Sequence, residues 1–109
     1  MAFARSVIDY YGGVCHICRH GGARQVDHVI PVTERPELAH AMSNCRPAHG
    51  APGNPCRECS AAAGRSIHCN QLRGMGSVDR ARRIIAERIA EHATARPAPV
   101  RRTDPGRSW

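Results

Sequence analysis

The sequence predicts a small α+β domain stapled by zinc, and three observations predict it. The chain has 109 residues, is 41% apolar and holds only two Tyr, one Phe and one Trp, so its core must be thin. It carries six cysteines, four of them in the units Cys15-x-x-Cys18 and Cys56-x-x-Cys59. Its strand-like and helix-like stretches are short and separate, with one long amphipathic stretch near the C-terminus. A domain of this size buries a modest share of its surface and commonly adds a metal ion or a disulfide as a staple.

The elements follow in chain order. Ser6-Val7-Ile8-Asp9-Tyr10-Tyr11 reads as a short helix stopped by Gly12-Gly13. Residues 14–22 read as a metal knuckle, with Cys15 and Cys18 at ligand spacing and Gly21-Gly22 closing the turn. From Gln25 to Val32 the apolar residues Val26, Val29, Ile30 and Val32 predict a strand, halted by Pro31 and the polar run Thr33-Glu34-Arg35-Pro36-Glu37. Gly50-Ala51-Pro52-Gly53-Asn54-Pro55 excludes a helix or a central strand, and Ala61-Ala62-Ala63 reads as one helical turn ended by Gly64. Ser77 to about Ala95 is the strongest helix. Ser77 caps it, Asp79 lies in its first turn, and Val78, Ala81, Ile85 and Ile89 share one face with Ile84 beside them. The resulting organisation is one domain over 1–95, with a core about 23–76 that includes an insertion over 52–67, a C-terminal helix over 77–95, and a disordered basic tail over 96–109.

Zinc is favoured over disulfides. Met1-Ala2-Phe3-Ala4-Arg5-Ser6 is too short and too polar for a secretory leader, and no run approaches membrane-spanning length. The expected setting is the cytoplasm, with no membrane partner. Thiols stay reduced there, and a Cys-x-x-Cys unit reads as a metal or redox site. Neither unit sits in the βαβ pattern of a thioredoxin-like protein. The formal charge is +7 and all sixteen basic residues are arginine, which suits a polyanionic partner, although charge alone fits a merely solvated surface equally well.

Three groups of residues, taken in order, narrow the function. They are the knuckle Cys15-His16-Ile17-Cys18, then Asp27-His28 before Val29-Ile30-Pro31, then Asn44-Cys45-Arg46-Pro47-Ala48-His49 with His68-Cys69-Asn70-Gln71-Leu72-Arg73-Gly74 beyond it. This order resembles the HNH endonucleases, the ββα-metal (His-Me finger) group, over about half of the chain. The resemblance implies two short strands around Asp27-His28 followed by a helix. It implies hydrolysis of DNA phosphodiester bonds with His28 as general base and Asn44 as the residue that holds the loop and orients it. Asp27 would bind a catalytic Mg²⁺ or other divalent ion, with Asn70 as second ligand and His68 as its rival. Successive strand residues point to opposite faces, so Asp27 and His28 need a bend or bulge to serve one site.

The structural zinc would take Cys15 and Cys18, closed by one of two pairs. Cys56 and Cys59 make the chemically simplest set and are slightly preferred, whereas His49 and Cys69 fit the family register. Cys45 reads as a small buried hydrophobe. Arg73, Arg80 and Arg83 are candidate phosphate contacts, since arginine binds phosphate in a bidentate way. His16, His20, His40 and His92 fit no motif and read as surface residues. Stand-alone chains of this kind are common in bacteriophages and bacteria, so the resemblance implies DNA as partner in a bacterial host cell, with phage packaging or mobility machinery around it. The rival classes are a zinc-binding DNA-recognition module without catalysis, and a redox or metal-handling protein.

Overall fold

The computed structural model describes residues 2–95, so the basic tail expected over 96–109 lies outside the described residues. The order of elements is α1 (Ala2–Tyr10), β1 (Gln25–His28), β2 (Cys45–Ala48), α2 (Arg57–Ala63), α3 (Cys69–Arg73) and α4 (Val78–Ala95). Short 3₁₀ turns at Pro36–Leu38 and Met42–Asn44 interrupt the β1–β2 connection. The architecture is therefore α+β, a two-stranded sheet with four helices.

β1 and β2 are antiparallel, in the register Gln25 to Ala48, Val26 to Pro47, Asp27 to Arg46 and His28 to Cys45. Pro47 fits a strand here because its polar edge faces away from β1. Its carbonyl accepts from His16 N at 3.0 Å, so the missing N–H removes no bond between the strands. The strand expected to reach Val32 ends at His28. The reason is Asn44, whose Oδ1 accepts from Ile30 N at 2.8 Å and whose Nδ2 donates to the carbonyls of Ile30 at 3.1 Å and Leu38 at 3.4 Å. The Ile30 backbone is thereby committed to a side chain rather than to a partner strand.

α1 packs against both strands. It buries Val7, and the Tyr11 hydroxyl just after it donates to Met42 O and accepts from Arg46 Nη1. On the other side, α4 packs against α2 and α3. Ala81 and Ile85 of α4 are buried, with Val78 and Ile89 packed beside them. Ser77 caps this helix by accepting from Arg80 N at 3.1 Å. The core between these layers contains Ile17, Ala23, Ala48, Ala63 and Ile67, and also Cys15, Cys56, Cys59 and Cys69. Cysteine sulfur thus fills space that aliphatic carbon fills in a larger domain.

The segment between His49 and Asn70 leaves and returns at one place, because Asn70 N donates to His49 O at 2.9 Å. Asn54 fastens it to the knuckle exit, accepting from Arg24 N and donating to Gly22 O. α2 ends at Gly64, whose φ of 66° is the left-handed conformation of a helix C-terminus. A side chain there would also run into the His92 ring of α4. Gly64→Ala should therefore cost at least the roughly 1–2 kcal/mol of a left-handed non-glycine residue. Chemical denaturation of the metal-loaded protein measures it, and an unchanged midpoint would contradict this packing.

Candidate functional site

Two groups of metal-ligating side chains meet behind the sheet. One holds Cys15, Cys18, His49 and Cys69, the other Cys18, His20, Cys56 and Cys59, and within each group the ligand atoms lie within 4.8 Å of one another. All six cysteines are free thiols. Local geometry explains the convergence. The knuckle reverses through Arg19, whose φ of 69° is rare outside glycine and asparagine, and Arg19 N donates to Cys15 O at 2.8 Å. That reversal carries His20 back beside the sulfurs. His49 follows β2 directly, and Cys69 opens α3.

The imidazoles are oriented for ligation. His49 Nε2 lies 2.8 Å from Gly21 O, and a carbonyl only accepts, so the proton is on Nε2 and the Nδ1 lone pair faces Cys18 and Cys69. A backbone carbonyl holding the far nitrogen of a ligand histidine is the usual outer-shell arrangement at zinc. Cys15 is pulled below the ordinary thiol pKa by hydrogen bonds from Cys18 and then Cys69, whereas Cys18, its partner in that bond, is pushed up. Burial raises Cys59 to about 11. Crowded sulfurs of this kind ionise together only beside a cation, and the cluster is compatible with a structural zinc ion.

The expected ligands are partly regrouped. Cys56 and Cys59, the slightly preferred closing pair, do not join Cys15 in one group; His49 and Cys69 do. His20, read as a surface residue, is gathered with Cys56 and Cys59. Its sequence signal was present in the spacing Cys18-x-His20, which becomes meaningful once Arg19 turns the chain.

A second site opens at the end of β1. A cavity of about 420 Å³ is lined by Asp27, His28, Asn70 and Arg73, together with Val32 and Met75. His28 is the last residue of its strand, so the two neighbours reach one cavity without the bend or bulge expected from strand alternation, since the register stays one-to-one. His28 Nε2 lies 2.9 Å from Ala39 O. The ring thus donates from Nε2 and leaves Nδ1 as its acceptor. Among the described residues no hydrogen bond joins the Asn44 side chain to the ring; buried at 5% exposure, it secures the loop that supplies Ala39.

Asp27 is more heavily engaged than its sequence neighbours imply. Its Oδ2 accepts from Arg73 Nη1 at 2.6 Å and lies 2.8 Å from His16 Nε2. Burial pushes the carboxyl pKa up, but the His16 hydrogen bond and the Arg73 charge outweigh it, and the pKa lies below the ordinary carboxylate value. His16 is therefore no surface residue. Arg73, expected to face phosphate, is only 8% exposed and also donates to the carbonyls of His28, Val29 and Gly76. Arg80 lies on the last carbonyls of α3, at 3.3 Å from both Leu72 O and Arg73 O. Arg82, on the same helix, clamps the knuckle through His16 O and Ile17 O. Of the arginines expected at phosphate, Arg83 alone is exposed with no side-chain hydrogen bond or ion pair to the described residues.

Comparison with known proteins finds no match among family models, curated proteins or solved structures. Among the described residues, no helix is long and apolar enough to cross a membrane.

Two outcomes follow. Arg73→Met should destabilise the protein by roughly 3–5 kcal/mol, the range for breaking a buried pair, and raise the Asp27 pKa, since burial then acts with one fewer opposing charge. Because the folded pKa of Asp27 is depressed, its contribution is present above the unfolded value of about 3.9 and is lost as pH falls through the folded value. A carboxyl-carbon NMR titration of both forms, paired with denaturation, checks this; an unmoved titration would remove Arg73 from the account. Stripping metal with a strong chelator should unfold the knuckle and loosen α3, seen as lost near-ultraviolet dichroism and restored by added zinc.

Proposed function

We propose that this chain is a metal-dependent endonuclease of the HNH type, hydrolysing phosphodiester bonds of DNA in a small ββα-metal fold. The observation that carries the reading is the shared cleft. Asp27, His28 and Asn70, singled out by their order in the sequence, line one cavity, and the His28 ring keeps Nδ1 as an acceptor. A water on Nδ1 loses its proton to His28 as it attacks phosphorus, and Ala39 O holds the ring in that orientation. β1, β2 and α3 then serve as the two strands and helix around the site.

The donor set suits a hard divalent ion. One oxygen of Asp27 takes no hydrogen bond from the described residues, and Asn70 lines the same cavity. Mg²⁺ keeps several waters and needs only one or two protein oxygens besides phosphate. Such an ion would supply charge stabilisation at the phosphorane and the leaving oxygen. The expected products carry 5′-phosphate and 3′-hydroxyl. The net charge of +7, with Arg83 exposed on α4, favours DNA as substrate. The proposed setting is the cytoplasm of a bacterial host, beside phage packaging or mobility machinery.

A second reading has a specific observation behind it. Arg73 already neutralises Asp27, which suits a zinc-stabilised DNA-recognition module without catalysis. A plasmid-nicking assay with Mg²⁺, Mn²⁺ and EDTA decides between them. Metal-dependent nicking should be lost by about 10²–10⁴-fold in His28→Ala, the usual contribution of a general base, with zinc content and DNA binding retained. DNA binding without nicking by the unsubstituted protein would establish the recognition module instead.

A further inference from the structure

The seven cysteine and histidine ligands outnumber what one zinc ion takes, and they divide in a particular way. Each of the two groups has four donors, three sulfurs and one imidazole, and the two share a single atom, the Cys18 sulfur. Four is the coordination number of a structural zinc site. A tetrahedron built on Zn–S bonds of about 2.3 Å and Zn–N bonds of about 2.0 Å has edges of about 3.8 Å between sulfurs and about 3.5 Å between sulfur and nitrogen. In the first group His49 Nδ1 lies 3.5 Å from Cys18 Sγ and 3.8 Å from Cys69 Sγ. In the second, His20 Nδ1 lies 3.5 Å from both Cys56 Sγ and Cys59 Sγ, and Cys18 Sγ lies 3.8 Å from Cys56 Sγ. Two edges of the first group and three of the second are thus close to those of a closed tetrahedral site, and the ligand atoms within each group all lie within 4.8 Å of one another.

We propose that the chain holds two zinc ions in one thiolate cluster, the first on Cys15, Cys18, His49 and Cys69, the second on Cys18, His20, Cys56 and Cys59, with the Cys18 sulfur bridging them.

Charge favours two ions over one. Five thiolates formed beside two dications leave a net charge of only about −1 among side chains that, apart from Cys18 and His20, are buried, whereas with one dication Cys56 and Cys59 stay as thiols with no ion to hold them together. The second group also has outer-shell support. Cys56 stands at the N-terminus of α2 and its sulfur accepts from Cys59 N at 3.3 Å. The ions have different structural tasks. The first joins the knuckle to the end of β2 and the start of α3, beside the cleft. The second fastens the α2 segment to the knuckle and gives Cys56-x-x-Cys59 its purpose. This inference stands whether or not the cleft is catalytic.

Elemental analysis of protein purified with zinc should give two ions per chain. Replacement with ¹¹³Cd should give two resonances in the thiolate-rich region, split by mutual scalar coupling through the Cys18 sulfur. Cys59→Ser and His20→Ala should each lower the count from two to one and leave the sheet and α3 folded. One thiolate-bound ion per chain, or two uncoupled resonances, overturns the proposal. An extra ion held in the oxygen-lined cleft gives no thiolate absorption and a resonance far from that region, so it is not mistaken for the second site. The measurements on the unsubstituted protein decide the question even if a variant fails to fold.

Discussion

Convergence of the knuckle, the end of β2, the α2 segment and the start of α3 on one set of sulfur and imidazole donors is the constraint on which the other elements depend. Cys15, Cys56, Cys59 and Cys69 are at once core residues and candidate ligands. Few aliphatic side chains remain to hold these segments together, Ile17, Ile67 and Ile85 being the largest of the cluster. In a domain this small, apolar burial by itself leaves a narrow margin over chain entropy. A metal ion on this cluster would close that gap, because binding energy at a site absent from the unfolded chain is folding energy.

The cleft inherits its geometry from that centre. His16 lies between Cys15 and Cys18, so the turn that presents the sulfurs also sets His16 against Asp27. Arg82 holds the same turn from α4, through the carbonyls of His16 and Ile17. Arg73 reaches back from the end of α3, which begins at Cys69, and binds Asp27 together with the backbone after it. A disturbance of the sulfur cluster is thus transmitted to Asp27 through two short, rigid connections. The loop over His28 has its own support in Asn44, whose amide spans Ile30 and Leu38.

Local chemistry made much of this legible in the sequence. The helix from Val78 to Ala95 follows from the spacing of Val78, Ala81, Ile85 and Ile89 and from the Ser77 cap, both of which act within a few residues. The turn at Gly64 and the knuckle at Cys15–Cys18 are likewise short-range features. The order of Asp27-His28, Asn44 and Asn70 was sufficient to single out residues that line one cavity or hold its loop.

Only the tertiary structure decided the pairings. Which donors come together depends on distances across the fold, so Cys15 and Cys18 lie with His49 and Cys69 although the second Cys-x-x-Cys unit was the chemically simplest and slightly preferred partner. His20 and His16, both half-buried, were brought to the sulfurs and to Asp27 by the knuckle turn, in which Arg19 adopts a left-handed backbone conformation that composition does not encode. Arg73 turned inward because a buried carboxylate, Asp27, was within its reach, and a buried charge requires a partner more strongly than a surface arginine requires phosphate. The sequence by itself determined the local elements and the chemical inventory, since those rest on neighbours along the chain. Tertiary structure determined which members of the inventory meet, since contact, charge compensation and coordination are properties of distance in space.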